Sequence, residues 1–197
     1  VTCAIRTIKE TSADAIKLEQ ATPRILDSIS AIQDAGITVF GHLGLTPQSA
    51  AAYKVQGNTF GSLGRIMEDA NRLAERGVRF LLLEAMPEDC AAHVAKHVPD
   101  MVVLGIGAGA KLAGQLLICS DLLGYYPNFK PRFAKDYVTQ AGRQGSFIQQ
   151  ATGAFSDYVR EVKAGTFPDA AHTYPLKDEA LTKWLAERRW LAERRDS

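Results

Sequence analysis

Four side chains suited to acid–base or ligand chemistry fall at the ends of successive apolar runs in this 197-residue sequence. Lys17 and Glu19 close the run Asp14-Ala-Ile-Lys-Leu-Glu19, His42 closes Ile37-Thr-Val-Phe-Gly-His42, and Glu84 closes Val78-Arg-Phe-Leu-Leu-Leu-Glu84. A further run, Met101-Val-Val-Leu-Gly-Ile-Gly107, leads into the glycine-rich turn Gly105-Ile-Gly-Ala-Gly109. If these runs are parallel strands, their C-terminal ends converge where such folds build their sites. One charged strand end says little, but successive ends bearing Lys/Glu, His, Glu and a glycine turn define a candidate site. Two carboxylates there take different roles when their surroundings push their pKa values apart. Plainer readings stand beside this one. Lys17 and Glu19, two residues apart on one side of a strand, also fit a simple ion pair. Glu84 also fits a strand's exit to solvent, and His42 a hydrogen-bonded structural histidine.

The elements that must position these residues follow a βα rhythm, short apolar runs alternating with helical patterns. Thr22-Pro23 opens a helix with Ile25, Ile29 and Ile32 on one face, and Gly36 closes it. A second helix spans about 63–76, with Leu63, Ile66, Met67, Ala70 and Leu73 inward and Gly77 as its stop. Pro87 opens a third, and Gln115-Leu-Leu-Ile-Cys119 reads as the last strand. Purely apolar runs suit strands covered on both faces. Beyond Pro131 the pattern turns helical, one helix ending at Lys163-Ala-Gly165. The first residues, Val1 to Lys9, resemble the inside of an amphipathic helix. Residues 1–175 are expected to form one domain, and 176–197 a charged helical tail. That tail repeats Trp-Leu-Ala-Glu-Arg-Arg at 184–189 and 190–195. A period of six does not return to one helix face, so the two Trp make no clean stripe; a partner-binding helix is the sharper alternative.

Composition narrows the class. An apolar share of 46% with 23% charged residues is that of a globular domain with a real core. A net charge of +1, without a basic stripe, gives no reason to expect nucleic acid or a membrane surface as partner. No apolar run approaches the ~20 residues of a membrane span. Cys3, Cys90 and Cys119 are scattered, with no CxxC pair, and fit free thiols in a reducing compartment. A cytoplasmic location is therefore expected. His93 and His97 have a metal-ligand spacing but lack the glutamate of an HExxH motif. Gly105-x-Gly107-x-x-Ala110 matches a dinucleotide fingerprint formally, but another apolar run follows it instead of a helix. A tight loop close to a ligand or to neighbouring elements is the better reading.

Seven segments carry a resemblance to a known family: Ala15-Ile-Lys-Leu-Glu19, Gly41-His-Leu-Gly-Leu-Thr-Pro-Gln-Ser49, Tyr53-Lys-Val-Gln-Gly57, Leu83-Glu-Ala-Met-Pro87, Gly105-Ile-Gly-Ala-Gly109, Asp121-Leu-Leu-Gly124 and Phe129-Lys-Pro-Arg-Phe133. In this order, from about Asp14 to His172, they resemble ketopantoate hydroxymethyltransferase. The resemblance implies an α/β fold of the (β/α)8-barrel family, seen here as a partial barrel of about the last five strands plus C-terminal helices. A complete barrel needs eight strands and typically ~250 residues.

The implied reaction adds the one-carbon unit of 5,10-methylenetetrahydrofolate to the enolate of 3-methyl-2-oxobutanoate, giving 2-dehydropantoate for pantothenate synthesis. By resemblance, Glu84 is the general base, Glu19 belongs to the Mg2+ shell, Lys17 binds the keto acid, and His42 hydrogen-bonds beside it. The implied cofactor is Mg2+, folate is the co-substrate, and the implied assembly is a homo-oligomer, a decamer. Three departures bear on activity. The family's two metal-binding aspartates come from strands before the one bearing Lys17. Ala51-Ala52 replaces Gly-Gly, and Ala113-Gly-Gln115 replaces Asp-Gly-Gln. Alternatives are an inactive barrel module that assembles with a full-length subunit, and a metal-dependent lyase acting on a 2-oxo acid.

Overall fold

A computed structural model describes residues 1–126 and 129–193, and the βα rhythm becomes a five-stranded parallel sheet. The elements run α1 (Thr2–Glu10), β1 (Ala15–Glu19), α2 (Pro23–Asp34), β2 (Thr38–Gly44), α3 (Phe60–Glu75), β3 (Phe80–Glu84), α4 (Glu88–His97), β4 (Val102–Ile106), β5 (Gly114–Gln115), α5 (Cys119–Leu122), α6 (Phe147–Lys163) and α7 (Glu179–Glu193). The strand order is β1-β2-β3-β4-β5, every pair parallel. Doubly wound sheets reverse their strand order at a switch point. This sheet never reverses, so it is an arc of a barrel wall, and all its strand ends open to one side.

Two of the helices that cover the sheet begin where the sequence supplies a cap. Thr22 accepts from the Ile25 N–H with Pro23 behind it, and Thr59 accepts from the Ser62 N–H. The second helix therefore starts at Phe60, three residues earlier than its apolar period suggests. The helix-facing side of the sheet (Val39, Leu43, Leu81, Leu83, Val103) meets Leu26, Ile29, Leu63, Leu73, Met86 and Val94 in the principal core. Burying each such side chain is worth about 1.5–3 kcal/mol, which holds the layers together. The other side of the sheet is the concave one. There Leu82 and Ile106 are buried beneath Phe133 and Ala134, with Tyr174 packed alongside, while Phe80 and Val102 at the strand starts stay exposed.

Two expectations are corrected. The last strand is Gly114–Gln115 rather than 115–119. It has one neighbour only, and after the Leu116 N–H pairs with the Gly105 carbonyl the chain turns at Ile118 into α5. Its apolar run is satisfied by side-chain packing: Leu116 and Leu117 lie against the concave cluster instead of extending the ladder. Beyond Pro131, helix begins only at Phe147, behind a Ser146/Gln149 capping box. The expected C-terminal tail is helical over Glu179–Glu193, and its first turns pack on the domain. Asp178 caps α7 by accepting from the Leu181 N–H, and Leu181 and Leu185 belong to the principal core. Trp184 meets Phe60 and His93 edge-on at 5.7 and 5.1 Å. Residues 181, 184 and 185 form a narrow stripe at i, i+3 and i+4, which the charged six-residue repeat disguises. The side chains of 190–193, Trp190 among them, and residues 194–197 lie outside the described part.

Candidate active site

Strand register brings the four singled-out side chains together. Glu19 is the register partner of His42, Lys17 of Phe40, and Glu84 of Gly44, so all project from the concave face. His42 is buried, 1% exposed. Its Nδ1 lies 3.3 Å from Lys17 Nζ, and an ammonium only donates, so Nδ1 accepts and the ring proton sits on Nε2. Nε2 lies 3.1 Å from Glu84 Oε2, yet the approach is too poorly aligned for a hydrogen bond, leaving this buried nitrogen without a partner among the described residues. On the other side Glu19 Oε1 is 3.6 Å from Nδ1, and Glu19 Oε2 accepts the Gln48 N–H. An unsatisfied buried donor costs about 1–3 kcal/mol, so one between two carboxylates on a cavity wall calls for a ligand. Among the described residues no ion pair joins Lys17 to Glu19; the lysine turns to the imidazole instead.

The backbone departs from easy geometry at these same strand ends. Gln20 (φ 72°) and Ala85 (φ 53°) are non-glycine residues in the left-handed region, each immediately after a site glutamate. Such residues cost about 1–2 kcal/mol each and persist where surroundings hold them. Here the Gln20 N–H donates to the His42 carbonyl, and the Ala85 N–H to the Ile106 carbonyl. Gly44, at φ +88°, has no room for a side chain, since a Cβ would lie 2.3 Å from the Glu84 carbonyl oxygen. That closeness lets the Leu45 N–H bond the same oxygen at 2.9 Å. No periodicity or motif announces Gln20 or Ala85; their role is visible only in the dihedrals.

The four side chains form the polar floor of a cavity of about 720 Å3. Its rim comes from segments to which sequence reasoning gave no role: Tyr53 and Lys54 after β2, Asp121 on α5, then Tyr126 and Phe129. Tyr174 reaches the same cavity from beyond α6; burial pushes its hydroxyl up, Arg132 pulls it down, and Glu84 adds a further upward push. Most rim residues lie inside the quoted family segments, which was the available signal. Tyr174 had none.

The remaining spacings resolve as packing. Gly107 and Gly109 are left-handed, and Cβ atoms there would strike the Phe133 ring and Glu88 at 2.4 and 2.3 Å. Glu88 also takes the Ala110 N–H, so the loop locks β4 to α4. His97 contacts Asn71 and His93 contacts Trp184 on the outer, helical layer. Among the described residues no three His, Cys, Asp or Glu side chains are gathered to hold a metal. Ala51 and Ala52 are exposed and avoid positive φ, and Ala113 is exposed away from the cavity lining. No helix among the described residues is long and apolar enough to cross a membrane.

An unreversed arc of parallel strands with carboxylates, lysine and a buried imidazole at its C-terminal ends defines a chain of the βα-barrel class with a candidate acid–base site. Within that class the chain belongs to the ketopantoate hydroxymethyltransferase family, whose model matches residues 1–170. It is 38% identical over 186 residues to a 3-methyl-2-oxobutanoate hydroxymethyltransferase of Geobacillus thermodenitrificans (strain NG80-2), covering 93% of this chain and 62% of the relative. It is 40% identical over 186 residues to the protein of that name in Nitratidesulfovibrio vulgaris (strain DP4), with 92% and 57% covered. For Desulfotalea psychrophila the figures are 42% over 174 residues, with 87% and 59% covered. The chain thus spans about three fifths of these relatives' length.

Proposed function

We propose that this chain carries the oxo-acid half of a hydroxymethyltransferase site, which joins 3-methyl-2-oxobutanoate to the one-carbon unit of 5,10-methylenetetrahydrofolate and yields 2-dehydropantoate. The observation that carries this is the buried His42 between Glu19 and Glu84, with Lys17 donating to its other nitrogen. A small 2-oxo acid needs a cation for its carboxylate, and Lys17 supplies one at the cavity floor. It needs a base for the C3 proton, and the Glu84 carboxylate accepts no hydrogen bond among the described residues, with His42 Nε2 3.1 Å from it. The unpartnered Nε2–H of His42 supplies a donor to an oxygen of the reacting species. The carbon released by deprotonation then forms a bond to the methylene carbon of the folate, and both C–N bonds of that methylene break. One water supplies the hydroxyl oxygen, and the C3 proton and the second water proton end on the two carrier nitrogens.

Mg2+ fits this donor set in part. Glu19 offers a hard carboxylate oxygen, and Mg2+ is commonly held by one or two carboxylates with substrate oxygens and water completing its octahedron. Bound at Glu19, the ion would act as a Lewis acid on the keto oxygen and ease loss of the neighbouring proton. On the family resemblance, two further ligands, both aspartates, would come from strands before the one that bears Lys17. A coupled assay for 2-dehydropantoate with the purified chain and Mg2+ tests the reading. Turnover abolished by Glu84→Gln supports the base role; full activity in that variant refutes it.

A further inference from the structure

Two reactants must share the cavity, and its floor is committed to the smaller one. The outer part is differently built: large aromatic rings at the rim and a single carboxylate set among them. Tyr53 and Phe129 are 69% and 56% exposed, yet their rings stack on one another at 6.2 Å and 24°. That spacing leaves no slot for a third ring between them, so the pair presents one shared wall. Tyr126, 51% exposed, lines the same rim. Exposed aromatic planes gathered at a cavity mouth mark a surface for a flat ligand.

Asp121 supplies the directional element. It sits on α5, half-buried in the cavity lining, and no described residue donates a hydrogen bond to its carboxylate or pairs with it within 4.0 Å. Burial pushes its carboxyl above the ordinary value, with Lys130 opposing from a distance. Such a carboxylate is satisfied best by two parallel N–H groups, the charge-assisted bidentate arrangement. A 2-amino-4-oxopyrimidine edge presents that pair: the ring N3–H and one amino N–H, side by side.

We propose that the outer half of the cavity seats the pterin ring of the folate, with Asp121 taking its pyrimidine edge and Tyr53 and Phe129 covering its face. This rests on the reading of the site given above and adds to it the ring's position. Lys54, next to Tyr53 on the lining, is then the cation nearest the carboxylates of the folate tail.

The test titrates the 197-residue chain separately with tetrahydrofolate and with 3-methyl-2-oxobutanoate plus Mg2+. Asp121→Asn should weaken tetrahydrofolate roughly 10- to 100-fold, the loss of hydrogen bonds assisted by the carboxylate charge. Oxo-acid binding should stay within about twofold, as for independent sites. Tyr53→Ala, an exposed loop substitution, should weaken tetrahydrofolate about tenfold through lost stacking. It decides the matter if Asp121→Asn fails to fold. Wild-type tetrahydrofolate affinity in the variants overturns the proposal, as does the absence of tetrahydrofolate binding to the wild type. p-Aminobenzoylglutamate competing as well as tetrahydrofolate would also overturn it, because recognition would then lie in the tail. Failure of the oxo acid to bind the wild type is a separate result and strikes the floor assignment instead.

Discussion

Leu181→Ala measures how firmly α7 belongs to the domain. Leu181 is 0% exposed, at the contact of α7 with the principal core, where Leu185 and Trp184 flank it. Removing its three outer carbons takes away their transfer free energy and leaves a hole that rigid neighbours fill only in part. Buried Leu→Ala changes of this kind cost about 2–5 kcal/mol, and a central value of about 3 kcal/mol is taken for this site. For a domain of this size each kcal/mol moves Tm by about 2–4 °C, so a drop of roughly 6–12 °C is expected. Thermal melting followed by far-UV circular dichroism reads it, with exposed Lys183→Ala as a control that should stay within about 0.5 kcal/mol. Trypsin should also cut the Leu181 variant faster within 176–189. If both variants melt with the wild type and resist trypsin equally, α7 contributes nothing and the reasoning from burial is wrong.

Gly44→Ala should cost about 2–4 kcal/mol, because left-handed backbone and a Cβ 2.3 Å from the Glu84 carbonyl act together; denaturant titration reads this, and a neutral result would show that β2 and β3 separate freely there. Of the three thiols, Cys90 is buried with its pKa pushed up to about 12, mainly by desolvation, so a thiol reagent at pH 8 should label Cys3 and Cys119 in the folded chain and Cys90 only after unfolding. Burial alone would push Glu161 up, but the Lys135 ammonium and the Tyr137 hydroxyl outweigh it and hold its carboxyl below the ordinary 4.5. A depressed folded pKa stabilises above the unfolded value and is lost as pH falls through the folded one. The stability gap between wild type and Glu161→Gln should therefore be full at neutral pH and shrink as pH falls below 4.5; a pH-independent gap contradicts it.

The site was legible in the sequence because parallel strands put chemistry at their C-terminal ends, and apolar runs ending in Lys17, Glu19, His42 and Glu84 display that directly. What the runs do not display is distance across the sheet. Only register shows that His42 lies between the two glutamates. The fifth strand misled because Gln115 to Cys119 has the composition of a buried strand, while only Leu116 and Leu117 are partly covered, by Phe133 and its neighbours, and Ile118 stays exposed. The packing of the C-terminal helix was hidden for a different reason: charged residues interrupt its apolar ones, and of the two leucines that anchor it, Leu181 lies before the six-residue repeat and Leu185 within it. The strained backbone at Gln20 and Ala85 leaves no trace in residue type, since glutamine and alanine are poor choices for that conformation.

Proton removal at C3 of the oxo acid is the step assigned to this chain's own residues, and it is measurable without folate. In deuterium oxide with Mg2+, the C3 proton signal of 3-methyl-2-oxobutanoate should decay in the presence of the chain, as followed by proton NMR. Glu84→Gln should slow that exchange by at least ~100-fold, the ordinary share of a positioned general base. Exchange at the wild-type rate in Glu84→Gln, or no exchange above the buffer rate with the wild-type chain, contradicts the assignment of this cavity floor as the oxo-acid site.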